Sequence, residues 1–139
     1  MLDLPHLARQ EEAPRPRRPW PRKFKDALRG LKFGIRGHSS FFVHFFFTAL
    51  VIAVAVPMGC TLNQWCILLL CIGFVLTAEL FNSAIETLHR GFDKETKEQT
   101  WKALDIAAGA VLMASMTAGV VGLLVLTKRF LQLFGNLPG

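Results

Sequence analysis

The sequence predicts an all-α membrane protein in which an N-terminal amphipathic surface helix precedes three transmembrane helices. The 139 residues are 52% hydrophobic and have a mean hydropathy of +0.37, which is high for a soluble domain. Residues 37–78 contain no Asp, Glu, Lys or Arg, and this stretch is long enough for two spans of about 20 residues each. A second charge-free stretch, residues 106–127, is long enough for a third. A buried helical hairpin in a soluble bundle is the alternative, which the length of these stretches disfavours.

The composition divides the chain into a tail, a membrane domain and a second short tail. The first 21 residues combine five prolines with many charges, which predicts a disordered basic tail. A turn at residues 57–59 separates the first two spans, and a charged linker from about residue 90 to residue 102 precedes the third. The predicted boundaries are 1–21 for the first tail, 22–130 for the membrane domain and 131–139 for the second tail. Within the membrane domain, the surface helix is predicted at about 22–36 and the spans at about 41–56, 62–82 and 103–127.

Most of the sixteen Lys and Arg residues lie before the first span. A nucleic-acid-binding arm is one interpretation of this charge. Next to a membrane span, basic charge is more typical of a cytoplasmic segment near anionic lipid head groups, so we expect no nucleic-acid partner. The turn between the first two spans has no Lys or Arg, and the positive-inside rule therefore places the N terminus and the charged linker in the cytoplasm. Four apolar residues at helical spacing predict an interfacial helix in this arm, which is compatible with packing on the rest of the protein: Phe24, Leu28, Leu31 and Ile35.

The third span carries small residues at every fourth position, a pattern that lets helices approach closely in lipid. Three short helices enclose a polar site poorly, so we expect a homo-oligomer with the site at or near a subunit interface. The small residues are Ala110, Ala114, Ala118 and Gly122.

The second span ends in a polar helix face that is the first candidate for a functional site. Its members stand at i, i+3, i+4 and i+7 and therefore share one side of the helix. Carboxylates at the end of an apolar span are costly unless they are paired, solvated or bound to a metal. Asp105, at the start of the third span, lies at the same predicted depth in the membrane. The face consists of Glu79, Asn82, Ser83 and Glu86.

Carboxylates grouped in this way predict two kinds of chemistry. They bind Mg²⁺, which prefers oxygen ligands, and one of them can accept a proton from a hydroxyl nucleophile. With basic residues in the adjoining linker, the group favours phosphoryl transfer to a lipid hydroxyl at the membrane surface. Structural ion pairs with the linker cations and proton translocation are the alternatives. Within the predicted spans, His44 is the one acidic residue or histidine that lies deeper in the membrane than this carboxylate group. An isolated histidine of this kind is usually a buried or interfacial residue held by hydrogen bonds.

The same residues also carry a family resemblance. Residues 79–86 resemble the signature E-x-x-N-[ST]-A-I-E of the prokaryotic diacylglycerol kinase family, which includes undecaprenol kinases. Residues 103–112 are similar to its second signature, K-D-x-x-x-x-A-V-L, and residues 24–32 resemble its N-terminal amphipathic segment. The resemblance covers about residues 22–127.

The resemblance implies a homotrimeric kinase of the bacterial cytoplasmic membrane, with composite active sites at subunit interfaces. Such a kinase transfers the γ-phosphate of Mg-ATP to a lipid alcohol of the diacylglycerol or undecaprenol type and supports phospholipid or cell-envelope lipid recycling. By position, Glu79 is implied as the general base on the lipid hydroxyl and Glu86 as a ligand of the Mg²⁺ cofactor. The implied nucleotide site contains Asn82, Glu95, Lys97 and Asp105.

The chain departs from the family pattern at three positions. The family's other Mg²⁺-binding Glu falls on His38, which as a neutral imidazole is a poorer Mg²⁺ ligand, and a basic position falls on Phe42. The family's nucleotide-site Lys falls on Leu104, so that Lys102 or Lys97 is left to supply positive charge. These departures motivate a second hypothesis, a catalytically impaired family member that acts as a membrane assembly or binding protein.

Overall fold

The computed structural model describes residues 19–36 and 39–135, and every regular element in these two segments is an α-helix. This confirms the predicted all-α class. Most of the predicted disordered tail and His38 lie outside the described residues. The helices are α1 (Trp20–Arg36), α2 (Ser40–Ala55), α3 (Leu62–Arg90) and α4 (Lys94–Phe134).

Helices α3 and α4 are long and apolar enough to cross a membrane, as predicted for the second and third spans. In the most apolar 18-residue stretch of each helix, only 22% of α3 and 11% of α4 is buried inside the chain. Most of their apolar surface therefore faces outwards. Helix α2 has 16 residues, about 24 Å of helix against a hydrocarbon core of about 30 Å. It qualifies as a candidate span only together with α1, as a bent pair. The first predicted span therefore stays a prediction.

Helix α1 covers Trp20–Arg36, close to the predicted residues 22–36, and leaves its apolar side uncovered. None of its residues is buried, and Trp20 and Phe24 are among its exposed large side chains. Its end approaches α3 at Gly34, where an added Cβ would lie 2.6 Å from Cδ2 of Leu80. The glycine thus permits a close helix contact, while the rest of the apolar side remains available to a lipid surface.

The predicted turn between α2 and α3 is present and is stabilised by its own glycine, by the start of α3 and by a contact from α4. Gly59 has a φ of +58°, the left-handed conformation that glycine adopts without strain. Thr61 and Gln64 form a capping box at the start of α3, in which each side chain accepts a hydrogen bond from the other's backbone N–H. Arg129 of α4 donates from Nε to the Met58 carbonyl oxygen at 2.9 Å. The cation at the far end of α4 therefore anchors this turn.

The connection between α3 and α4 is shorter than the charged linker predicted over about residues 90–102. Helix α4 already begins at Lys94, because the Asp93 carboxylate accepts a hydrogen bond from the Thr96 backbone N–H at 2.8 Å. This hydrogen bond lowers the pKa of the Asp93 carboxyl below its ordinary value. The Lys and Glu residues that follow are good helix formers, so most of the predicted linker is the first part of α4.

The interior of the described chain lies mainly between α3 and α4. Leu68 of α3 is 1% exposed and faces Gly122 of α4, where an added Cβ would lie 3.9 Å from its Cδ2. Two members of the small-residue series, Ala114 and Gly122, are buried, whereas Ala110 is exposed. Small residues therefore serve the close approach of α4 to α3, as expected from their spacing.

Candidate functional site

Glu79 is a buried carboxylate with one paired oxygen and one unpaired oxygen. The residue is only 2% exposed, and His44 of α2 places its Nε2 3.6 Å from Oε2. Within the described residues, the second oxygen, Oε1, has no hydrogen-bond partner, and neither does the buried hydroxyl of Ser83 one turn further along α3. A buried polar atom without a partner is costly. The fold therefore holds an acceptor oxygen and a hydroxyl ready for a ligand.

A polar cavity of about 320 Å³ lies between α3 and α4, beyond Glu79 towards the end of α3. It brings together three of the predicted site residues, Asn82, Glu86 and Asp105. Asn82 donates from Nδ2 to Oε1 of Glu86 at 3.1 Å, and Arg90 donates from Nη2 to Oε2 at 3.2 Å. The Glu86 carboxylate is thereby fixed in the cavity by one amide and one guanidinium. The lining is completed by His89, Leu104 and Ala108.

A side-chain contact beside this cavity joins the ends of α3 and α4. Nδ1 of His89 lies 3.1 Å from the hydroxyl of Thr100, which in turn donates to the Thr96 carbonyl oxygen at 2.7 Å. The donor and acceptor roles of Nδ1 and the Thr100 hydroxyl depend on the imidazole tautomer. In either tautomer the contact links the end of α3 to the first part of α4.

An apolar cavity of about 400 Å³ lies among α2, α3 and α4 on the opposite side of Glu79. His44 lines it, and so does Ser115, whose hydroxyl is buried without a hydrogen-bond partner among the described residues. Along α3, Glu79 stands three residues from Leu76 in the apolar cavity and three from Asn82 in the polar cavity, a rise of about 4.5 Å in each direction. Glu79 therefore lies on α3 between the residues that line the apolar cavity and those that line the polar one, and it lines neither itself.

The remaining predicted site residues are not brought into the polar cavity. Glu95 is exposed and Lys97 half-buried near the start of α4, and Lys97 lies about 12 Å from Asp105 along the helix axis. Lys102 lies near the neighbouring Trp101 ring, 5.9 Å from its centroid, and does not line the cavity.

The polar cavity offers a donor set that suits Mg²⁺. Two carboxylates and an amide oxygen line it, and these are the oxygen ligands that Mg²⁺ prefers. Mg²⁺ is commonly held by one or two protein carboxylates together with substrate phosphates. Within the described segments no three His, Cys, Asp or Glu residues are grouped to hold a metal ion. The residues present therefore fit a Mg²⁺ ion that arrives with a phosphate ligand.

The sequence pattern does not reveal the partner of His44. An imidazole in an apolar span needs a polar contact, and that signal predicts a partner without naming it. The structure supplies Glu79 as that partner, and it adds His89 and Arg90 to the cavity around Glu86.

These features define the class of the protein: an all-helical membrane protein with a carboxylate site near the junction of its two long spans. The chain belongs to the prokaryotic diacylglycerol kinase family, whose model matches residues 25–126. The match includes α3 with its polar face, and most of α1 and α4. This family is one of lipid kinases of bacterial membranes, which act on a lipid substrate. Comparisons with curated proteins and with solved structures gave no match.

Proposed function

We propose that the protein is an ATP-dependent lipid kinase that transfers the γ-phosphoryl group of Mg-ATP to the hydroxyl of a diacylglycerol-type or undecaprenol-type lipid alcohol. The observation that carries this proposal is the placement of Glu79, a buried carboxylate with one unpartnered oxygen between an apolar and a polar cavity. A lipid hydroxyl and a nucleotide phosphate can approach such a carboxylate from opposite sides.

On the lipid side, the apolar cavity takes the part of the substrate next to its hydroxyl. Oε1 of Glu79 accepts the hydroxyl proton while the hydroxyl oxygen bonds to the γ-phosphorus and the bond from that phosphorus to the β-bridging oxygen breaks. The products are the lipid phosphate and ADP, with the proton on Glu79. Burial of the carboxylate excludes water that would compete with the lipid as acceptor of the phosphoryl group.

On the nucleotide side, Glu86 and Asp105 would hold a Mg²⁺ ion, which would neutralise phosphate charge, and Asn82 donates to the Glu86 carboxylate. Arg90 supplies a guanidinium at the cavity wall, a group suited to bidentate phosphate binding. The positive charge of Arg90 partly replaces that of the lysine which the family pattern has at the position of Leu104.

The large outward-facing apolar surface of α3 and α4 suits contact with lipid, and the exposed small residue Ala110 leaves room for a neighbouring helix. We propose a homotrimer with its N terminus and polar cavity on the cytoplasmic side. In such an assembly Glu95, Lys97 and Lys102 approach the nucleotide of a neighbouring subunit. His38 remains a proposed metal ligand.

A lipid panel tests the proposal. Purified protein in vesicles is given Mg²⁺ and γ-labelled ATP together with diacylglycerol, undecaprenol or a simple long-chain alcohol. We expect label in at least one lipid phosphate, and the preferred lipid identifies the substrate.

A second candidate is favoured by Leu104, an apolar residue in the polar cavity where the family pattern has a lysine. Under this hypothesis the protein is a catalytically impaired member that assembles in or binds to the membrane. ATP binding without label in any lipid of the panel would support it and would reject the kinase.

A further inference from the structure

We propose that His44 is the positioning residue of the Glu79 carboxylate: its Nε2 holds Oε2, so that Oε1 is left as the acceptor for the lipid hydroxyl proton. The inference rests on the proposed lipid kinase function and adds to it a residue on a different helix.

The two oxygens of Glu79 have different surroundings, and this asymmetry is the basis of the inference. Oε2 has the imidazole of His44 at 3.6 Å, whereas Oε1 has no hydrogen-bond partner among the described residues. A carboxylate on a flexible side chain presents either oxygen unless something distinguishes them. A donor on Oε2 fixes the rotation of the group and thereby the direction in which Oε1 accepts a proton.

The burial of both partners strengthens the electrostatic contact between them. The side chain of Glu79 is 2% exposed and that of His44 is 16% exposed, so water competes little with the contact. Nε2 donates a proton both in the neutral Nε2–H tautomer and in the imidazolium, and the proposed role holds in either state. The separation of 3.6 Å is slightly longer than a hydrogen bond, so the proposal requires the contact to shorten when substrate is bound, as catalytic hydrogen bonds often do.

The placement of His44 on α2 distinguishes this contact from the side-chain contacts of Glu86 within α3. Glu86 is held by residues of its own helix, four positions before and after it. Glu79 is held across a helix–helix contact, and His44 also lines the apolar cavity. Docking of α2 on α3 therefore orders the base and shapes the lipid side of the site together.

The experiment compares two replacements of His44 in the full chain reconstituted in vesicles. His44→Phe keeps a planar ring without a donor, and His44→Gln keeps an N–H donor without the ring. Val43→Phe is the matched control, because it places the same side chain on the exposed neighbouring position. We expect His44→Phe to lower kcat about 10–100-fold with the KM values for lipid and ATP within about twofold, the range seen for orienting partners of site ligands. His44→Gln is expected to stay within about threefold of wild type because its donor reaches the same oxygen.

A double substitution tests whether His44 acts through Glu79. Glu79→Asp keeps the carboxylate but withdraws it by one methylene from His44. In that background we expect His44→Phe to lower kcat no further than about twofold, because residues that act as a unit are non-additive. Where His44→Phe fails to assemble, His44→Leu takes its place with the same expected values.

The outcomes separate this inference from the proposed function. A wild-type kcat in His44→Phe, an equal loss in the Phe and Gln variants, a raised KM at constant kcat, or an undiminished effect in the Glu79→Asp background would each overturn the role of His44 while leaving the kinase intact. Wild-type protein without activity on any lipid of the panel would overturn both proposals.

Discussion

Replacement of Glu79 by Gln tests the proposed base most directly. Gln has nearly the same shape as Glu and keeps a polar group at this 2% exposed position, but it accepts no proton from the lipid hydroxyl. General-base catalysis is worth about 10²–10⁴-fold in rate, or about 2.7–5.5 kcal/mol of transition-state stabilisation. We therefore expect kcat to fall by about that factor, with the KM for ATP within about twofold because Glu79 does not line the polar cavity.

Structural damage is a poor explanation for such a loss. Gln keeps nearly the same volume and an amide oxygen that can accept from Nε2 of His44, so we expect the free energy of unfolding to change little. The assay is transfer of label from γ-labelled ATP to lipid in vesicles, with thermal unfolding followed in parallel. Glu98→Gln is the matched control, since Glu98 is exposed and lines neither cavity. A kcat within tenfold of wild type in Glu79→Gln would refute the assignment of Glu79 as base.

Three further predictions concern the metal, the start of α4 and the helix contact. Glu86→Gln should raise the Mg²⁺ concentration for half-maximal activity about tenfold or more, and an unchanged Mg²⁺ titration would contradict its role as a ligand. Asp93 has a lowered pKa, chiefly through the Thr96 backbone hydrogen bond, so its stabilising effect is present above the unfolded pKa and lost as the pH falls below about 4. Asp93→Asn keeps a capping side chain and should lessen this acid loss in thermal melts, while equal acid loss in both proteins would reject the prediction. Gly122→Leu should lower the free energy of unfolding by about 1–3 kcal/mol, because the larger side chain would clash with Leu68. Gly122→Ala is the control, since its Cβ fits beside Leu68, and equal unfolding temperatures of the two variants would contradict this packing.

The helices could be predicted from the sequence because their signals are local. Charge-free length and amphipathic spacing mark α1, α3 and α4, and a Pro-Met-Gly turn marks the end of α2. The charge of residues 90–102 predicts a linker, but Asp93 is a helix-capping residue followed by good helix formers, and α4 begins at Lys94. The helix-capping residue Asp93, three residues after the end of α3, therefore decides where α4 begins, and the charge of the following segment does not prevent it from being helical.

The arrangement of the site was predictable only in part. The face from Glu79 to Glu86 follows from helical periodicity, and the depth of Asp105 follows from its position at the start of the third span. The contact of His44 with Glu79 depends on how α2 packs on α3, which no local pattern encodes. The same holds for the unpartnered Oε1, because burial and hydrogen bonding arise from the packed chain.

The position of Leu104 allows the family departure to be tested by gain of function. Leu104 lines the polar cavity next to Asp105, so a Lys at this position would bring its ammonium into the space proposed for the nucleotide phosphates. A charge-assisted contact is worth about 1.5–3 kcal/mol, and each 1.4 kcal/mol is tenfold in affinity. Because the Glu86 and Asp105 carboxylates compete for the same ammonium, we expect the lower end, about a tenfold lower KM for ATP in Leu104→Lys.

The matched control for this gain is Ala103→Lys, which adds the same charge one residue earlier at an exposed position that does not line the cavity. General attraction of ATP to added positive charge would lower KM equally in both variants, and it would weaken with salt. A contact inside the cavity lowers KM in Leu104→Lys alone and persists at higher ionic strength. Equal KM values for ATP in the two variants would therefore refute the placement of the nucleotide in the cavity between α3 and α4, even if the chain proves to be an active lipid kinase.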